Sequence, residues 1–211
     1  MENEITVRVT SDFATLEKEL EKHKFTVMDN FELDDIYMID NNVDLSQLSN
    51  LEILQKCILI RDIVGIKKEL LYKSKKYAPN GDIIEQSKVE CPVDDIQKAK
   101  AFMEAINYKT LFEIYSKCIA YANNKSELVV QIVNDDYILI EQENNAERVK
   151  RTYNSIEDVK EDLNSYDLPI DKSDYFVKKA EIELKKVLKR WKKQLLTLQA
   201  IGQRLIVPKV Y

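Results

Sequence analysis

Residues 2–10 read Glu-Asn-Glu-Ile-Thr-Val-Arg-Val-Thr, and polar and apolar residues alternate strictly from Glu4 to Thr10. The residues of one face are polar or charged, namely Glu2, Glu4, Thr6 and Arg8. The residues of the other face are β-branched, namely Ile5, Val7 and Val9. A period of two predicts a β-strand with one apolar and one charged face. Such a strand belongs either to an open sheet or to a barrel with a polar lumen.

Working outward from this stretch, strand patterns dominate the chain. Helical spacing predicts helices over residues 13–23, 92–106, 155–164 and 172–199. Strand patterns cover residues 25–28, 33–39, 56–63, 69–77, 82–91, 111–121, 127–133 and 137–143. Residues 40–50 are polar and predict a loop, and 78–81 (Ala-Pro-Asn-Gly) predict a turn. The order predicts an α+β fold: an antiparallel eight- to nine-stranded β-barrel with flanking helices and a helical C-terminus. We expect one domain over residues 1–211, with the barrel and two inserted helices in 1–150 and the helical segment 151–211 packed on it.

Composition excludes several kinds of chemistry. The 211 residues include one histidine (His23), which rules out a His-rich metal site, and three glycines, which argue against P-loop and Rossmann sites. The three cysteines form no CxxC pair, so no zinc ribbon is expected, and we predict buried free thiols. A net charge of −5 disfavours nucleic-acid binding. Short apolar runs and an acidic N-terminus predict a cytoplasmic protein without a membrane span.

The remaining chemistry must come from carboxylates, lysines and arginines. Glu141 and Glu143 project to one side of the last predicted strand, as Glu2 and Glu4 do on the first. Paired carboxylates suit a hard divalent cation such as Mg²⁺. Lys73 and Lys75 share a strand face, and Arg61 ends the preceding strand, so an enclosed arrangement would bind a polyphosphate. Alternating charges also occur on solvated outer faces, and the pattern alone leaves both interpretations open.

Short charged elements follow one another in a fixed order over about residues 2–180. They are Glu4-Ile-Thr6-Val-Arg8, Asp35-Ile-Tyr37, Ile58-Leu-Ile-Arg61, Leu71-Tyr-Lys73, Lys88-Val-Glu90, residues 116–121, Glu141-Gln-Glu143 and Ser173-Asp-Tyr175. In this order and spacing they resemble the CYTH superfamily, also called the triphosphate tunnel metalloenzymes. That family includes class IV adenylyl cyclases, thiamine triphosphatases and inorganic triphosphatases.

The resemblance implies a polar barrel lumen that binds a triphosphate together with Mg²⁺ or Mn²⁺. The implied metal ligands are Glu2, Glu4, Glu141 and Glu143. The implied phosphate-binding residues are Arg8, Arg61, Lys73, Lys75 and Lys88. Glu90 and Lys73 would act in catalysis. Cleavage of a phosphoanhydride depends on charge neutralisation more than on a special nucleophile, so the scarcity of histidine is no obstacle.

This sequence also departs from the family pattern at positions that are usually charged. The departures are Thr6, Leu59, Lys88, Ser116, Cys118 and Gln131. Hydrolysis of an inorganic or organic triphosphate is the leading hypothesis, because it needs no nucleobase pocket. Two alternatives stay open: adenylyl cyclase-type activity on ATP, and a non-catalytic protein that binds a phosphate ligand or a partner. A homodimer through the C-terminal helices is a further hypothesis.

Overall fold

The computed structural model describes residues 4–77 and 83–200. Within them, the strands are β1 (Glu4–Arg8), β2 (Thr26–Asp40), β3 (Ile58–Ile63), β4 (Lys67–Tyr77), β5 (Ile83–Pro92), β6 (Tyr108–Ala122), β7 (Glu127–Val133), β8 (Tyr137–Glu143), β9 (Asn145–Ala146) and β10 (Arg151–Thr152). The helices are α1 (Phe13–Lys22), α2 (Asn50–Gln55), α3 (Ile96–Ala105), α4 (Ile156–Asn164) and α5 (Lys179–Ala200), with a 3₁₀ turn at Leu45–Gln47. No described helix has the length and apolarity that a membrane crossing requires.

Eight strands form one antiparallel sheet in the order β1-β8-β7-β6-β2-β3-β4-β5, and β9 and β10 form a separate pair. The predicted α+β class and the antiparallel eight-stranded sheet are therefore confirmed. Closure of the sheet into a barrel stays a prediction. The predicted turn at 78–81 lies outside the described residues.

The outer edge of β1 is occupied by the chain that precedes α5. The Thr6 amide donates to the Tyr175 carbonyl at 3.0 Å, and the Val177 amide donates to the Thr6 carbonyl at 3.0 Å. The Asp171 amide donates to the Arg8 carbonyl at 2.8 Å. These bonds satisfy backbone groups that an edge strand would otherwise expose. They also explain why α5 begins at Lys179 and not at residue 172, as the helical pattern predicts.

Two local predictions differ from the structure. The two short strands predicted at 25–28 and 33–39 are one long strand, β2, and the polar residues between them lie exposed within it. Part of the predicted loop is helical: the Ser49 hydroxyl accepts the Glu52 amide, and the Glu52 carboxylate accepts the Ser49 amide. This capping box starts α2.

The described chain packs as two compact units. The first takes its described residues from Met1–Leu33, Lys75–Gln86 and Tyr115–Val177, and the second from Asp34–Ser74, Ser87–Ile114 and Lys178–Tyr211. The expectation of a single domain over residues 1–211 stays a prediction. In the first unit, the apolar face of β1 packs with α1 and α4 in one core, which includes Ile5, Val7, Leu16, Leu20, Val159 and Leu163. The predicted alternation of residues 5–9 therefore points its apolar face to helices.

The second unit has a smaller core around α3. Met38 of β2 and Ile60 of β3 pack with Ala99 and Met103 of α3. The rings of Tyr37 and Phe112 stack with their centroids 4.5 Å apart. The thiol prediction is confirmed for Cys57 and wrong for Cys91, which is exposed. Residues 87–91 are all exposed, because β5 stands at the end of the strand order. Cys118, in the first unit, is buried as predicted.

A buried carboxylate organises the polar part of the first unit's core. The Asp162 side chain is 7% exposed. Its Oδ2 accepts hydrogen bonds from the Ser126 hydroxyl at 2.6 Å, the Gln142 amide at 2.8 Å and the Tyr153 hydroxyl at 2.8 Å. Its Oδ1 accepts from Arg151 at 2.8 Å. Burial, assisted by the bond to Asp162, raises the pKa of Tyr153 to about 12, so the phenol remains a donor across the physiological range.

Replacing this carboxylate by a neutral amide should destabilise the protein. In Asp162→Asn an NH₂ group faces donors that need an acceptor, and Arg151 loses its charged partner. We expect the free energy of unfolding to fall by about 1–3 kcal/mol, the usual cost of leaving buried donors without their acceptor. Urea unfolding followed by circular dichroism measures the change. Asp167→Asn is the control, since Asp167 is exposed and pairs with Lys172 at the surface; an equal loss in the two variants would contradict the assignment.

Candidate functional site

Three of the four predicted metal ligands come together where β1 pairs with β8. Glu4 lies directly across from Glu143, and Thr6 lies across from Glu141. Carboxylate oxygens of Glu4, Glu141 and Glu143 all lie within 4.8 Å of one another. Glu4 and Glu141 are half-buried and Glu143 is exposed. Like charges placed opposite each other repel, so this arrangement is one that a cation would stabilise. Glu2 lies outside the described residues.

The side chain between the two β8 glutamates determines which way they point. The Gln142 amide donates to the Tyr153 hydroxyl at 3.0 Å and to Asp162, both in the core of the first unit. Because successive side chains of a strand alternate, Glu141 and Glu143 must project from the opposite face. A residue that the sequence analysis did not single out therefore aims the two predicted ligands.

Gln131 stands at a position where the family usually has an aspartate, and it contacts the acidic cluster. It lies on β7 and is 6% exposed. Its Nε2 donates to Glu141 Oε2 at 2.5 Å. A neutral donor therefore replaces a fourth carboxylate, which lowers the negative charge of the cluster and holds Glu141 in place.

The other positions of the first unit that the resemblance singles out have different surroundings. Arg8 follows Glu4 and Thr6 on the polar face of β1, is exposed, and lies over the Tyr137 ring with its guanidinium carbon 5.4 Å from the centroid. Ser116 and Cys118 of β6, at two usually basic positions, are fully buried. Small residues fit there, since a buried cation would require a partner.

In the second unit, the predicted phosphate-binding residue Arg61 forms a two-point ion pair with Asp35. Arg61 Nε donates to Asp35 Oδ1 at 2.7 Å, and Nη2 donates to Oδ2 at 2.8 Å. The Asp35 side chain is 1% exposed, whereas that of Arg61 is 19% exposed. Burial opposes ionisation of Asp35, but the bonds and charge of Arg61, with the charges of Lys179 and Lys73, outweigh it and hold the pKa of Asp35 below its usual range. Lys73 is therefore within electrostatic reach of this pair.

Glu90, the predicted catalytic carboxylate, lies among lysines. It forms an ion pair with Lys88, and Lys67 lies 4.0 Å from it while also pairing with Glu69 at 2.8 Å. The hydrogen bond from Lys88, helped by the charges of Lys88, Lys67 and Lys73, lowers the pKa of Glu90. Glu90 is thus a carboxylate near neutral pH and suits accepting a proton or orienting water better than donating a proton. Lys88 stands where the family pattern has a carboxylate, and as a cation it contacts Glu90.

The structure thus places the predicted residues unevenly. It brings Glu4, Glu141 and Glu143 together in one unit, and it puts Lys73 within electrostatic reach of both Asp35 and Glu90 in the other. The position of Lys75 on β4 is described, but its side chain lies outside the described part. Sequence reasoning did not assign a role to Asp35 or Gln142. The sequence feature that points to Asp35 is a charged residue at a position of the strand pattern where an apolar residue is expected.

No family model matches this sequence. No curated protein matches it either at a significant level.

Solved structures do share the fold. A Pyrococcus horikoshii protein superposes with a TM-score of 0.60 at 15% identity, covering 88% of this chain and 99% of its own. A Hippeastrum protein described as a "putative adenylyl cyclase" with a dominant triphosphatase activity gives a TM-score of 0.55 at 16% identity, covering 82% of this chain and 91% of its own. A Vibrio parahaemolyticus "putative adenylate cyclase" gives 0.52 at 12% identity, covering 89% and 97%. At 12–16% identity, these likenesses show that the chain shares the fold of these proteins.

Proposed function

We propose that this protein binds a triphosphate together with Mg²⁺ or Mn²⁺ and hydrolyses it. The observation that carries the proposal is the convergence of Glu4, Glu141 and Glu143, whose carboxylate oxygens lie within 4.8 Å of one another. The order of the charged elements and the shared fold with a protein of described triphosphatase activity support it. A closed barrel around the ligand is part of the proposal.

The donor set fits a hard divalent cation. Carboxylate oxygens are the ligands that Mg²⁺ and Mn²⁺ prefer, and three of them can bind one ion while water completes its coordination. A bound ion would neutralise phosphate charge. Glu2 would add a fourth carboxylate, and Gln131 would hold Glu141 in its orientation through the 2.5 Å hydrogen bond.

The protein's own side chains would bind the phosphates and activate water. Arg8, Arg61, Lys73, Lys75 and Lys88 supply positive charge for phosphate oxygens, with Arg61 able to donate several hydrogen bonds from one rigid plane. Lys73 would in addition stabilise the charge that develops during cleavage. Glu90 is ionised near neutral pH and would accept a hydrogen bond from the attacking water.

Two specific observations favour a second candidate, a non-catalytic triphosphate-binding protein. Lys88 forms an ion pair with Glu90, where the family pattern has a second carboxylate. Gln131 is neutral and lies beside Glu141, where the family pattern has an aspartate. Each loss of an oriented group commonly costs about 10²–10³ in rate. Adenylyl cyclase-type activity is the third outcome, since two structures with this fold are described as putative cyclases.

An activity assay separates these outcomes. The protein is incubated with tripolyphosphate, thiamine triphosphate or ATP, with Mg²⁺ or Mn²⁺, and phosphate, pyrophosphate and cyclic AMP are measured. We expect phosphate release. In Glu141→Gln/Glu143→Gln it should fall at least about 10²-fold, because two ligand charges are lost. The control Glu157→Gln/Glu161→Gln changes two exposed carboxylates of α4.

The products of the assay distinguish a triphosphatase, a binding protein and a cyclase. Equal phosphate release by the site variant and the wild type would refute the site assignment. Thermal stabilisation by tripolyphosphate without product would establish the binding protein. Cyclic AMP as the main product would establish the cyclase.

A carboxylate introduced beside Glu141 should make the thermal stability of the protein depend on a bound metal ion. In Gln131→Glu without metal, a fourth negative charge replaces a hydrogen-bond donor. We expect the melting temperature in EDTA to fall by about 2–4 °C for each kcal/mol of repulsion. Saturating Mn²⁺ should reverse the loss, since only the folded state assembles the ligands. Gln97→Glu, at an exposed position of α3, is the control. A Gln131→Glu protein that does not respond to Mn²⁺ would argue against a cation site.

A further inference from the structure

We infer that Asp35 is a positioning residue for triphosphate binding, because it holds the guanidinium of Arg61 in one orientation. The inference rests on the proposed function and assigns a role to a residue that touches no phosphate itself. It is carried by the two-point ion pair, with distances of 2.7 Å and 2.8 Å, between a fully buried carboxylate and a partly exposed guanidinium.

The geometry of the pair determines what Arg61 can do. A guanidinium has five N–H donors in one rigid plane. Asp35 takes one donor on Nε and one on Nη2, along a single edge of that plane. These two bonds hold the guanidinium plane in one orientation, so the donors of the opposite edge point in a defined direction. A fixed plane loses less side-chain entropy when it binds phosphate than a mobile one does.

The difference in burial assigns the two partners different roles. The Asp35 side chain is 1% exposed and cannot reach a soluble ligand, whereas that of Arg61 is 19% exposed. Asp35 is also held firmly by its own strand. Two residues along β2, the Tyr37 ring stacks on Phe112, and burial raises the pKa of Tyr37, so its phenol stays neutral and packed. The buried partner is thus the anchor, and the exposed partner is the group that is positioned.

The charge around Asp35 is consistent with anion binding. Arg61, Lys73 and Lys179 all lie within electrostatic reach of its carboxylate. Three cations therefore surround one buried negative charge. A buried ion pair is also weak evidence of stability, because apolar residues of similar volume often stabilise a core as well or better. A positioning role gives a reason for the pair that stability alone does not.

A double-mutant cycle on ligand affinity tests the inference. Binding of tripolyphosphate in the presence of Mn²⁺ is measured by calorimetry for the wild type, Asp35→Asn, Arg61→Lys and the double variant. Asp35→Asn should weaken binding about tenfold, and in the Arg61→Lys background it should add less than about twofold, because a lysine has no plane to orient. Glu127→Gln is the matched control. It removes the carboxylate of another carboxylate–arginine pair, that of Glu127 with Arg148, and should leave the affinity unchanged.

The outcomes distinguish a positioning role from a structural one. If Asp35→Asn costs the same affinity in both backgrounds, Asp35 does not act through Arg61 and the inference is overturned. If Glu127→Gln weakens binding as much as Asp35→Asn does, a general loss of stability explains both, and the inference is overturned too. If the wild type binds no tripolyphosphate at all, the proposed function fails and the inference fails with it. Binding by the wild type without coupling refutes the inference alone.

A charge-preserving variant covers the case in which Asp35→Asn does not fold. Asp35→Glu keeps the ion pair but moves the guanidinium by one methylene. We expect it to fold and to bind tripolyphosphate about tenfold more weakly. Wild-type affinity in a folded Asp35→Glu protein would overturn the inference.

Discussion

The register of β1 against β8 is the constraint on which the candidate site depends. It places Glu4 across from Glu143 and Thr6 across from Glu141, so three carboxylates share one face within 4.8 Å. The same register puts Ile5, Val7 and Ile140 in the core with α1 and α4. A slip of one residue would exchange the two faces, burying the glutamates and exposing the core. Burial of the apolar face therefore supplies the free energy that holds repelling charges together.

Buried polar groups then refine this arrangement in each unit. In the first, Asp162 collects four donors, and one of them, Gln142, fixes the direction of its neighbours Glu141 and Glu143. In the second, Asp35 fixes the plane of Arg61. Each of these two carboxylates is buried and orients one other residue. Asp162 orients Gln142, which lies between two predicted metal ligands, and Asp35 orients Arg61, a predicted phosphate-binding residue. Such positioning is effective because a buried carboxylate must keep its partners or pay a large desolvation cost.

Particular elements show how far the sequence alone could predict the molecule. The alternation in residues 2–10 correctly predicted β1 and its two faces, and period-two patterns located β3 to β8 within a few residues. The sequence pattern does not predict β2 as one strand, because Asp29 and Asn30 are typical turn residues. In the structure they lie within the exposed first part of this strand. The start of α5 was predicted too early because residues 169–177 pair with β1, and a local helical period cannot reveal a distant backbone partner. Glu141 and Glu143 were identified by spacing, whereas the role of Gln131 depends on a neighbouring strand.

The sequence by itself determined which side chains are available and which face of each strand they occupy. One histidine, few glycines and alternating glutamates limited the chemistry to carboxylates, lysines and arginines, and the order of the motifs resembles that of the CYTH superfamily. Only the tertiary structure decided which of these charges meet. It placed Glu4 with Glu141 and Glu143, paired Arg61 with Asp35, and paired Glu90 with Lys88. The physical reason is that alternation is a local property of an extended chain, whereas register and ion pairing join residues that are up to about 140 positions apart and depend on the free energy of the whole packed core.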